Sequence, residues 1–289
     1  MFLYASLRGI AHHLKRDLWL EISAGFDNDA QYQRIFLLDR LSLNHSMLHK
    51  DSWLGKLHLG WMGKILRRLG NPLKGSKCFW SEDPAQGFVE FYKLRGWAGH
   101  TILAGYFQSP RYFEAIQEEI RSEFQISHPI GESTLAEADR IRKMICPIMV
   151  GIRRYEEAPL GAVPLTAEYY QKTMSFMHKQ YPLSTFVVFS TDVEWVRQNL
   201  SIPGDHYFVE PKPENKHAHE DLYLMALCQH YIISNSSYYW WGCWLSQNSE
   251  KVVLCPNVGF SNPDVYPLEW TVVSQDPQEK IELVKGVGE

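Results

Sequence analysis

The spacing of hydrophobic residues along the chain is most regular in its C-terminal half. From about residue 144, short apolar runs such as ICPIMVGI, TFVVFS and KVVLC alternate with segments such as TAEYYQKTMSFMHKQ, whose apolar residues recur at helical spacing. Apolar runs that alternate with helices are typical of parallel strands buried on both faces of a sheet. We therefore predict an α/β fold with a Rossmann-like domain over residues 141–289.

The N-terminal half has a less regular pattern and begins with a predicted helix. Leu3, Leu7, Ile10 and Leu14 recur at helical spacing, and the strand-like run DLWLEI follows them. An α/β domain normally begins with a strand, so a helix in first place indicates that the chain starts inside a strand–helix unit. We predict a second α/β domain over residues 1–140, incomplete at its N-terminus.

Composition narrows the functional class. The chain has 289 residues, of which 45% are hydrophobic and 21% charged, and these values suit a globular protein of two domains. A net charge of −4 gives no indication of nucleic-acid binding. The 5 cysteines include no CxxC pair, and no apolar run reaches the ~18 residues of a membrane span. Because the start also lacks a convincing signal peptide, we expect a cytoplasmic protein.

The segment at residues 51–80 combines glycines and apolar residues with a dense basic cluster. The basic residues are Lys64, Arg67, Arg68, Lys74 and Lys77. One interpretation is a solvent-exposed insertion with some amphipathic helix. The other is a patch that makes peripheral contact with the anionic inner face of a membrane or with a lipid-linked acceptor.

The residues that follow each predicted strand are the candidates for a site, because open α/β sheets bind ligands at the carboxyl ends of their strands. Arg153 and Arg154 follow the run ICPIMVGI. Adjacent side chains of an extended chain point to opposite faces, so one arginine can clamp a pyrophosphate while the other braces the loop. Glu156 lies within reach of either. An exposed, charged strand end is the alternative interpretation.

The run YIISNSSYYWWGCWL predicts a strand, a polar turn and an apolar helix. Asn235, Ser236 and Ser237 occupy the turn, where their side chains and the first N–H groups of the helix can bind an anion. Trp240 and Trp241 lie in the helix itself. We predict that they anchor it in the core rather than stack on a sugar.

Two carboxylates lie near the starts of other predicted helices. In FSTDVEW, Thr191 and Glu194 have the spacing of a capping box, and Asp192 lies at the positive end of the helix, so a structural role is favoured. Asp221 begins the apolar helix DLYLMALCQH, either as a helix N-terminal carboxylate or as part of a site.

Two longer blocks, FSTDVEWVRQNL and DLYLMALCQHYIISNSSYYWWGCWL, closely resemble signature segments of the α-1,2-fucosyltransferase family, mainly its bacterial members. GYFQSPRYFEAIQEEIRSEF resembles a first-domain segment of that family, and GIRRYEE resembles its arginine motif. The resemblance runs through most of the chain and is weakest across residues 25–85. Its most specific part is the block from Asn235 to Gly242.

The resemblance implies a GT-B architecture, in which two Rossmann-like domains face each other across a cleft, with no metal or other cofactor. It implies transfer of fucose from GDP-β-L-fucose, with inversion, to the 2-hydroxyl of a galactose in a glycan or lipid-linked glycan. On this chain, Arg153 would clamp the pyrophosphate and Arg154 would support it. The turn of Asn235, Ser236 and Ser237 would bind the donor at the start of the following helix.

Two carboxylates also receive roles from the resemblance. Fixed cations and helix N–H groups can stabilise the charge that develops on a departing GDP, so the implied mechanism dispenses with a metal. Glu156 is the candidate general base, because it stands where the family has an aspartate. Asp221 matches an acidic residue that reads guanine in related fucosyltransferases, since a carboxylate can accept both of the adjacent N–H donors of guanine.

The chain departs from the family pattern at two places. The family motif reads His-x-Arg-Arg-x-Asp, whereas this chain has Gly151 and Glu156 at the histidine and aspartate positions. The family also opens with a strand and a Gly-Gly-Leu-Gly-Asn-Gln loop, whereas this chain begins at the helix that follows them, with MFLYA. The alternative to an active enzyme is therefore a truncated, catalytically silent protein that binds nucleotide sugars or glycans.

Metal chemistry is the third alternative. FDNDA places Asp27 and Asp29 after a strand, as in metal-dependent GT-A glycosyltransferases, although such triplets are common by chance. The run KHAHED at residues 216–221 is interpreted as a solvent-exposed loop rather than a metal site. The motifs GxxxxGK[ST], GxGxxG, HExxH and GxSxG are absent from the sequence.

Overall fold

The computed structural model describes residues 1–22, 35–43, 48–49, 79–91, 102–154, 163–212 and 215–284. Contacts between residues divide the chain into two compact units. Unit 1 is Met1–Ser127 with Ser261–Val265, and unit 2 is His128–Phe260 with Tyr266–Glu289. The arrangement of two domains across a cleft stays a prediction.

Unit 1 begins with the predicted helix, α1 (Phe2–Leu14). The prediction of a helix is confirmed, but its buried face differs in detail from the expected one. Phe2 and Tyr4 are buried together with Leu7 and Ile10, whereas Leu3 is 39% exposed. The helix therefore uses its first aromatic side chains to reach the core.

The described part of unit 1 also contains two short pairs of parallel strands. β1 (Leu20–Glu21) pairs with β2 (Leu48–His49), and β3 (Phe79–Ser81) pairs with β4 (Ile102–Ala104). The helix α2 (Gln117–Glu123) follows them. Its last residue forms a 2.6 Å ion pair with Arg8, which ties α2 to α1.

Unit 2 is built on a six-stranded sheet in which every strand pair is parallel. Its strands are β5 (Pro147–Ile152), β6 (Thr185–Ser190), β7 (Asp205–Phe208), β8 (His230–Ile233), β9 (Val253–Pro256) and β10 (Thr271–Val273). Its helices are α3 (Glu132–Arg142), α4 (Ala167–Gln180), α5 (Val193–Asn199), α6 (Ala218–Ala226) and α7 (Ser237–Leu245). The predicted parallel α/β fold is confirmed for this unit.

The predicted domain boundary at residue 140 lies within α3, whereas the two compact units divide at residue 127. Thr134 of α3 is fully buried and its hydroxyl donates to the carboxylate of Glu220 in α6. Because α3 packs on a helix of the parallel sheet, it belongs to unit 2.

The order of the strands is β10-β9-β8-β5-β6-β7. The chain runs outward from β5 through β6 to β7, then returns to the other side of β5 at β8 and continues outward to β10. The order reverses between β5 and β8, so these two neighbours form the topological switch point of the sheet. Open α/β sheets bind their ligands in the crevice at this point, beyond the carboxyl ends of the strands.

The core of unit 2 lies on both faces of these central strands. All residues of β5 and β8 are buried, as expected for strands covered by helices on both sides. Tyr169, Met174 and Met177 of α4 pack on one face of the sheet. The Tyr169 hydroxyl donates to the carbonyl oxygen of Ile233 at 2.8 Å, which fixes α4 against the carboxyl end of β8.

Among helices in the described part of the chain, none is long and apolar enough to cross a membrane. The basic cluster of residues 64–77 lies outside the described residues. Peripheral membrane contact through that cluster therefore stays a prediction.

Candidate functional site

The carboxyl ends of β5 and β8 lie side by side at the switch point. Gly151 pairs with Ile233 across the two strands, and the next backbone N–H along, that of Ser234, donates to the Gly151 carbonyl at 3.0 Å. Arg153 and Arg154 follow β5 directly, and the Asn-Ser-Ser turn follows β8. The residues singled out from two distant sequence blocks thus emerge from adjacent strands at the ligand-binding edge of the sheet.

Tyr239 of α7 fills the space beside Gly151, where the family motif has histidine. A Cβ atom added at residue 151 would lie 2.5 Å from the Tyr239 ring, closer than real Cβ atoms approach a neighbour. The Tyr239 hydroxyl is a shared donor, 3.2 Å from the carbonyl oxygens of both Ile152 and Phe189. Tyr239 therefore ties the carboxyl ends of β5 and β6 to the first turn of α7.

Arg154 is held by α5. Its guanidinium carbon lies 3.9 Å from the ring centroid of Trp195, a cation–π contact. Asp192 caps the same helix, because its carboxylate accepts the Trp195 backbone N–H at 2.8 Å. The contact gives Arg154 a bracing position at the exit from β5, while Arg153 lies next to it, partly buried.

The predicted capping box of Thr191 and Glu194 is wrong by one residue. The N-cap is Asp192, and the carboxylate of Glu194 accepts from the Gln198 side chain at 2.9 Å instead. The structural role expected for Asp192 at the positive end of the helix is present.

Ser236 is the N-cap of α7, but its side chain makes no capping hydrogen bond. Its backbone is extended, with φ −123° and ψ 124°, and both Ser236 and Ser237 are partly exposed. The first N–H groups of a helix lack intrahelical partners and carry positive partial charge. The turn therefore offers hydroxyl and amide donors together, which is the arrangement that binds an anion.

Asn235 is buried and anchors a backbone segment that sequence reasoning did not connect with it. Its Nδ2 donates to the carbonyl oxygen of Val163 at 2.7 Å. Gly259, at φ +99°, lies directly against it, and a Cβ there would come within 2.0 Å of Nδ2. Asn235 thus fixes the segment that leads into α4, in addition to any contact with a ligand.

The tryptophans of α7 are core residues, as predicted. Trp240 is fully buried, Trp241 is 2% exposed and Trp244 is 6% exposed. The rings of Trp240 and Trp244 stack with their planes 13° apart and their centroids separated by 6.1 Å. A rigid aromatic base of this kind holds the N-terminus of α7 in place behind the polar turn.

The run KHAHED is not the solvent-exposed loop that the sequence predicted. His219 and Glu220 are buried at the start of α6, at 5% and 4% exposure. Glu220 accepts hydrogen bonds from Thr134, from Lys212 at 2.8 Å and from His217 at 3.1 Å. Burial alone would raise the pKa of Glu220, but these hydrogen bonds outweigh it and lower the pKa to about 2.

Asp221 lies next to this ion pair, in the first turn of α6. Its Oδ1 is 3.8 Å from Lys212 Nζ, and its side chain is 26% exposed. Burial raises the pKa of Asp221 to about 6, although Lys212 acts against the rise. Tyr238, in the first turn of α7, donates to the Ala218 carbonyl at 2.7 Å, so the starts of α6 and α7 are joined beside Asp221.

Several predicted candidates lie outside the described residues. They are the candidate base Glu156 and the triplet with Asp27 and Asp29. Within the described ranges, no group of three or more His, Cys, Asp or Glu side chains is placed to hold a metal ion.

Comparison with known proteins adds the family context. The O-antigen biosynthesis glycosyltransferase WbnK of Escherichia coli is 29% identical over 192 residues, which are 62% of this chain and 62% of WbnK. An Escherichia coli alpha-1,2-colitosyltransferase is 24% identical over 277 residues, 92% of this chain and 90% of the relative. Galactoside alpha-(1,2)-fucosyltransferase 1 of Saimiri sciureus is 25% identical over 50% of this chain and 42% of its own length. The chain thus matches less than two thirds of WbnK.

Among solved structures, a mutant of Arabidopsis thaliana FUT1 in complex with GDP matches with a TM-score of 0.44 and 12% identity. That match covers 88% of this chain and 67% of the other.

The relatives confirm the resemblance to α-1,2-fucosyltransferases that the signature blocks carry. The family model described as glycosyl transferase family 11 matches residues 89–273. That range is more than half of the chain and contains β5, β8 and the start of α7. The chain therefore belongs to glycosyl transferase family 11.

Proposed function

We propose that the protein is an inverting glycosyltransferase that moves L-fucose from GDP-β-L-fucose to the 2-hydroxyl of a galactose in a glycan, without a metal ion. The observation that carries the proposal is the position of Arg153 and the N-terminus of α7 at the adjoining ends of β5 and β8. A guanidinium and a set of helix N–H groups that follow adjoining strand ends at the switch point suit a diphosphate. Membership of family 11 supports glycosyl transfer as the reaction.

The chemistry follows from where charge develops. As the bond between the sugar and GDP breaks, negative charge grows on the diphosphate and positive charge grows on the sugar ring. Arg153 and the donors of Ser236 and Ser237 stabilise the departing diphosphate, because they are fixed in position before the reaction. Arg154, stacked on Trp195, holds the strand end that carries Arg153. These groups supply the positive charge that a divalent metal provides in other enzymes.

Asp221 is proposed to bind the guanine base. Guanine presents two adjacent N–H donors, and one ionised carboxylate can accept both. Asp221 is partly exposed and lies beside Tyr238, which itself belongs to the first turn of α7. The position supports one nucleotide that spans Asp221 and the polar turn.

The acceptor hydroxyl needs to lose a proton as it attacks the sugar. Glu156 is proposed as the general base, because it stands two residues after Arg154 and matches the acidic position of the family motif.

The donor sugar has a second candidate. The relative that aligns with 92% of this chain is named an alpha-1,2-colitosyltransferase. Colitose is fucose without its 3-hydroxyl. The names of the two kinds of relative both specify an alpha-1,2 linkage. We keep fucose as the leading proposal, and a competition between GDP-fucose and GDP-colitose for one acceptor decides between them.

The direct test is a transfer assay. We expect purified protein to convert GDP-fucose and a β-galactoside into an α-1,2-fucosylated product, identified by mass spectrometry and NMR, with full rate in EDTA. Arg153→Ala should lower kcat/KM by at least ~100-fold, since it removes a fixed charge from the departing diphosphate. Arg142→Ala is the control, because Arg142 is an exposed arginine paired with Asp139 on α3.

Three outcomes would contradict the proposal in different ways. Loss of activity in EDTA that Mn²⁺ restores would overturn metal independence. GDP binding without transfer to any galactoside would favour the silent binding protein. Absence of both transfer and GDP binding would overturn the assignment of the donor.

A further inference from the structure

Lys212 lies between the two carboxylates that begin α6. Its Nζ is 2.8 Å from Glu220 Oε2 and 3.8 Å from Asp221 Oδ1. It also donates to the hydroxyl of the fully buried Thr134, which in turn donates to Glu220. Lys212, Thr134 and Glu220 therefore close a triangle of hydrogen bonds, in which the lysine side chain is 15% exposed.

The triangle fixes what Lys212 does to Asp221. Two of the three ammonium protons are used on Thr134 and Glu220, and a separation of 3.8 Å from Asp221 is longer than a hydrogen bond. The ammonium thus acts on Asp221 through its charge, and Asp221 Oδ1 has no hydrogen-bond partner among the described residues. A lysine that bonded Asp221 directly would compete with a ligand for the same lone pairs.

The surroundings of Asp221 otherwise disfavour its ionised form. Burial raises its pKa and the carboxylates of Glu137 and Glu220 add to the rise, so that with all neighbours acting together the pKa lies at about 6. Lys212 and the Tyr238 hydroxyl are the groups that act in the opposite direction. The Tyr238 hydroxyl is neutral and donates its proton to the Ala218 carbonyl. Among these neighbours, Lys212 is therefore the one that carries a formal positive charge.

We propose that Lys212 is a positioning residue: anchored on Glu220 and Thr134, its ammonium holds the Asp221 carboxylate ready for a base with two adjacent N–H donors, the pattern of guanine. The proposal rests on the proposed function, in which Asp221 contacts the base. The preference for guanine then depends on the ammonium charge of Lys212, a side chain that does not itself contact the nucleotide.

The test is calorimetric titration of the full chain with GDP and with inosine diphosphate, which lacks the 2-amino donor, from about pH 6 to pH 8.5. Lys212→Met removes the charge and keeps the length of the side chain. We expect GDP binding to weaken by about threefold near pH 6.5 and little near pH 8.5, because the pKa of Asp221 rises by about one unit and its ionised fraction falls accordingly. The preference for GDP over inosine diphosphate should shrink over the same range.

Two further variants control for folding. Lys212→Met combined with Glu220→Gln leaves no unpaired charge at residue 220 and should shift the pH profile in the same direction by a smaller amount, because the Glu220 carboxylate also raises the pKa of Asp221. Lys179→Met changes an exposed lysine of α4 and should leave the profile of the wild type.

The outcomes separate this proposal from the proposed function. Folded Lys212 variants that bind GDP with the pH profile and base preference of the wild type would overturn the positioning role alone. A wild-type protein that binds neither nucleotide would overturn the donor assignment and the role of Lys212 with it.

Discussion

At residue 151 the chain has glycine where the family motif has histidine, and the structure leaves no room for a side chain at this position. The Tyr239 ring occupies the space that a Cβ would need. Gly151→His should therefore destabilise the protein by about 3 kcal/mol through overpacking. Tyr239→Ala makes a cavity and should cost about 3 to 5 kcal/mol by itself.

The two changes should offset each other when combined. We expect the loss of unfolding free energy in the Gly151→His, Tyr239→Ala double variant, measured in urea, to be smaller than the sum of the two single losses by at least ~1 kcal/mol. Additive losses would show that the two residues are not coupled.

The pKa of Asp221 predicts a stability that depends on pH. The folded protein raises this pKa from 3.8 to about 6, so ionisation of Asp221 opposes folding. The contribution of Asp221 to stability is therefore greatest below about pH 4 and is lost as the pH rises through about 6.

The variant Asp221→Asn removes the charge and with it this dependence. Without nucleotide, it should be more stable than the wild type above about pH 7, by up to about 3 kcal/mol, and the difference should vanish towards pH 4. Thermal unfolding at a series of pH values measures it. A difference that stays constant with pH would contradict the raised pKa.

Residues of the candidate site could be predicted from the sequence where a charged or polar side chain comes shortly after a predicted strand. Arg153 and Ser236 directly follow apolar runs, and side chains at the ends of parallel strands meet at one edge. Lys212, Tyr239 and the bond from Asn235 to Val163 could not be found in this way. Each depends on a contact between segments far apart in sequence, and no local pattern of residues records such a contact.

At the scale of elements, the buried strands were predictable and the outer ones were not. β5, β6, β8 and β9 are continuous apolar runs, because helices cover both of their faces. The edge strands β7, DHYF, and β10, TVV, are short and partly exposed, so their sequences carry no such run.

The start of α6 was predicted too late for a related reason. The chain enters this helix at Ala218, whereas the apolar pattern begins at Asp221. His219 and Glu220 look like solvent-exposed residues in sequence. Burial of Glu220 becomes favourable only through Lys212 and Thr134, which come from other parts of the chain.

The link from the β8–α7 turn to the segment before α4 gives a prediction at the same scale. Asn235→Asp keeps the shape of the side chain but replaces the donor to the Val163 carbonyl with an acceptor. We expect a loss of about 3 kcal/mol in unfolding free energy, because the buried hydrogen bond is replaced by repulsion between a carboxylate oxygen and the Val163 carbonyl oxygen.

Asn248→Asp is the matched control, because Asn248 also donates to a carbonyl, that of Gln229, in an exposed position. It should cost less than ~1 kcal/mol. An Asn235→Asp protein of normal stability with weakened GDP binding would show that Asn235 acts on the ligand instead of the backbone.

At the scale of the whole molecule, the topology of the parallel sheet indicates one location for the proposed chemistry. The strand order reverses between β5 and β8, and the family match spans both strands. The reversal could not be predicted from the apolar runs, because they record which segments are strands and not which strands are neighbours. It is the feature that brings the arginines and the serine turn together.

The central claim is that Arg153 and the N-terminus of α7 bind one diphosphate at this switch point. Calorimetric titration of GDP in EDTA, on the wild type, Arg153→Ala and the control Arg142→Ala, tests it most directly. We expect the wild type and the control to bind GDP, and Arg153→Ala to lose at least ~10-fold in affinity. An Arg153→Ala protein that binds GDP as tightly as the wild type would contradict it.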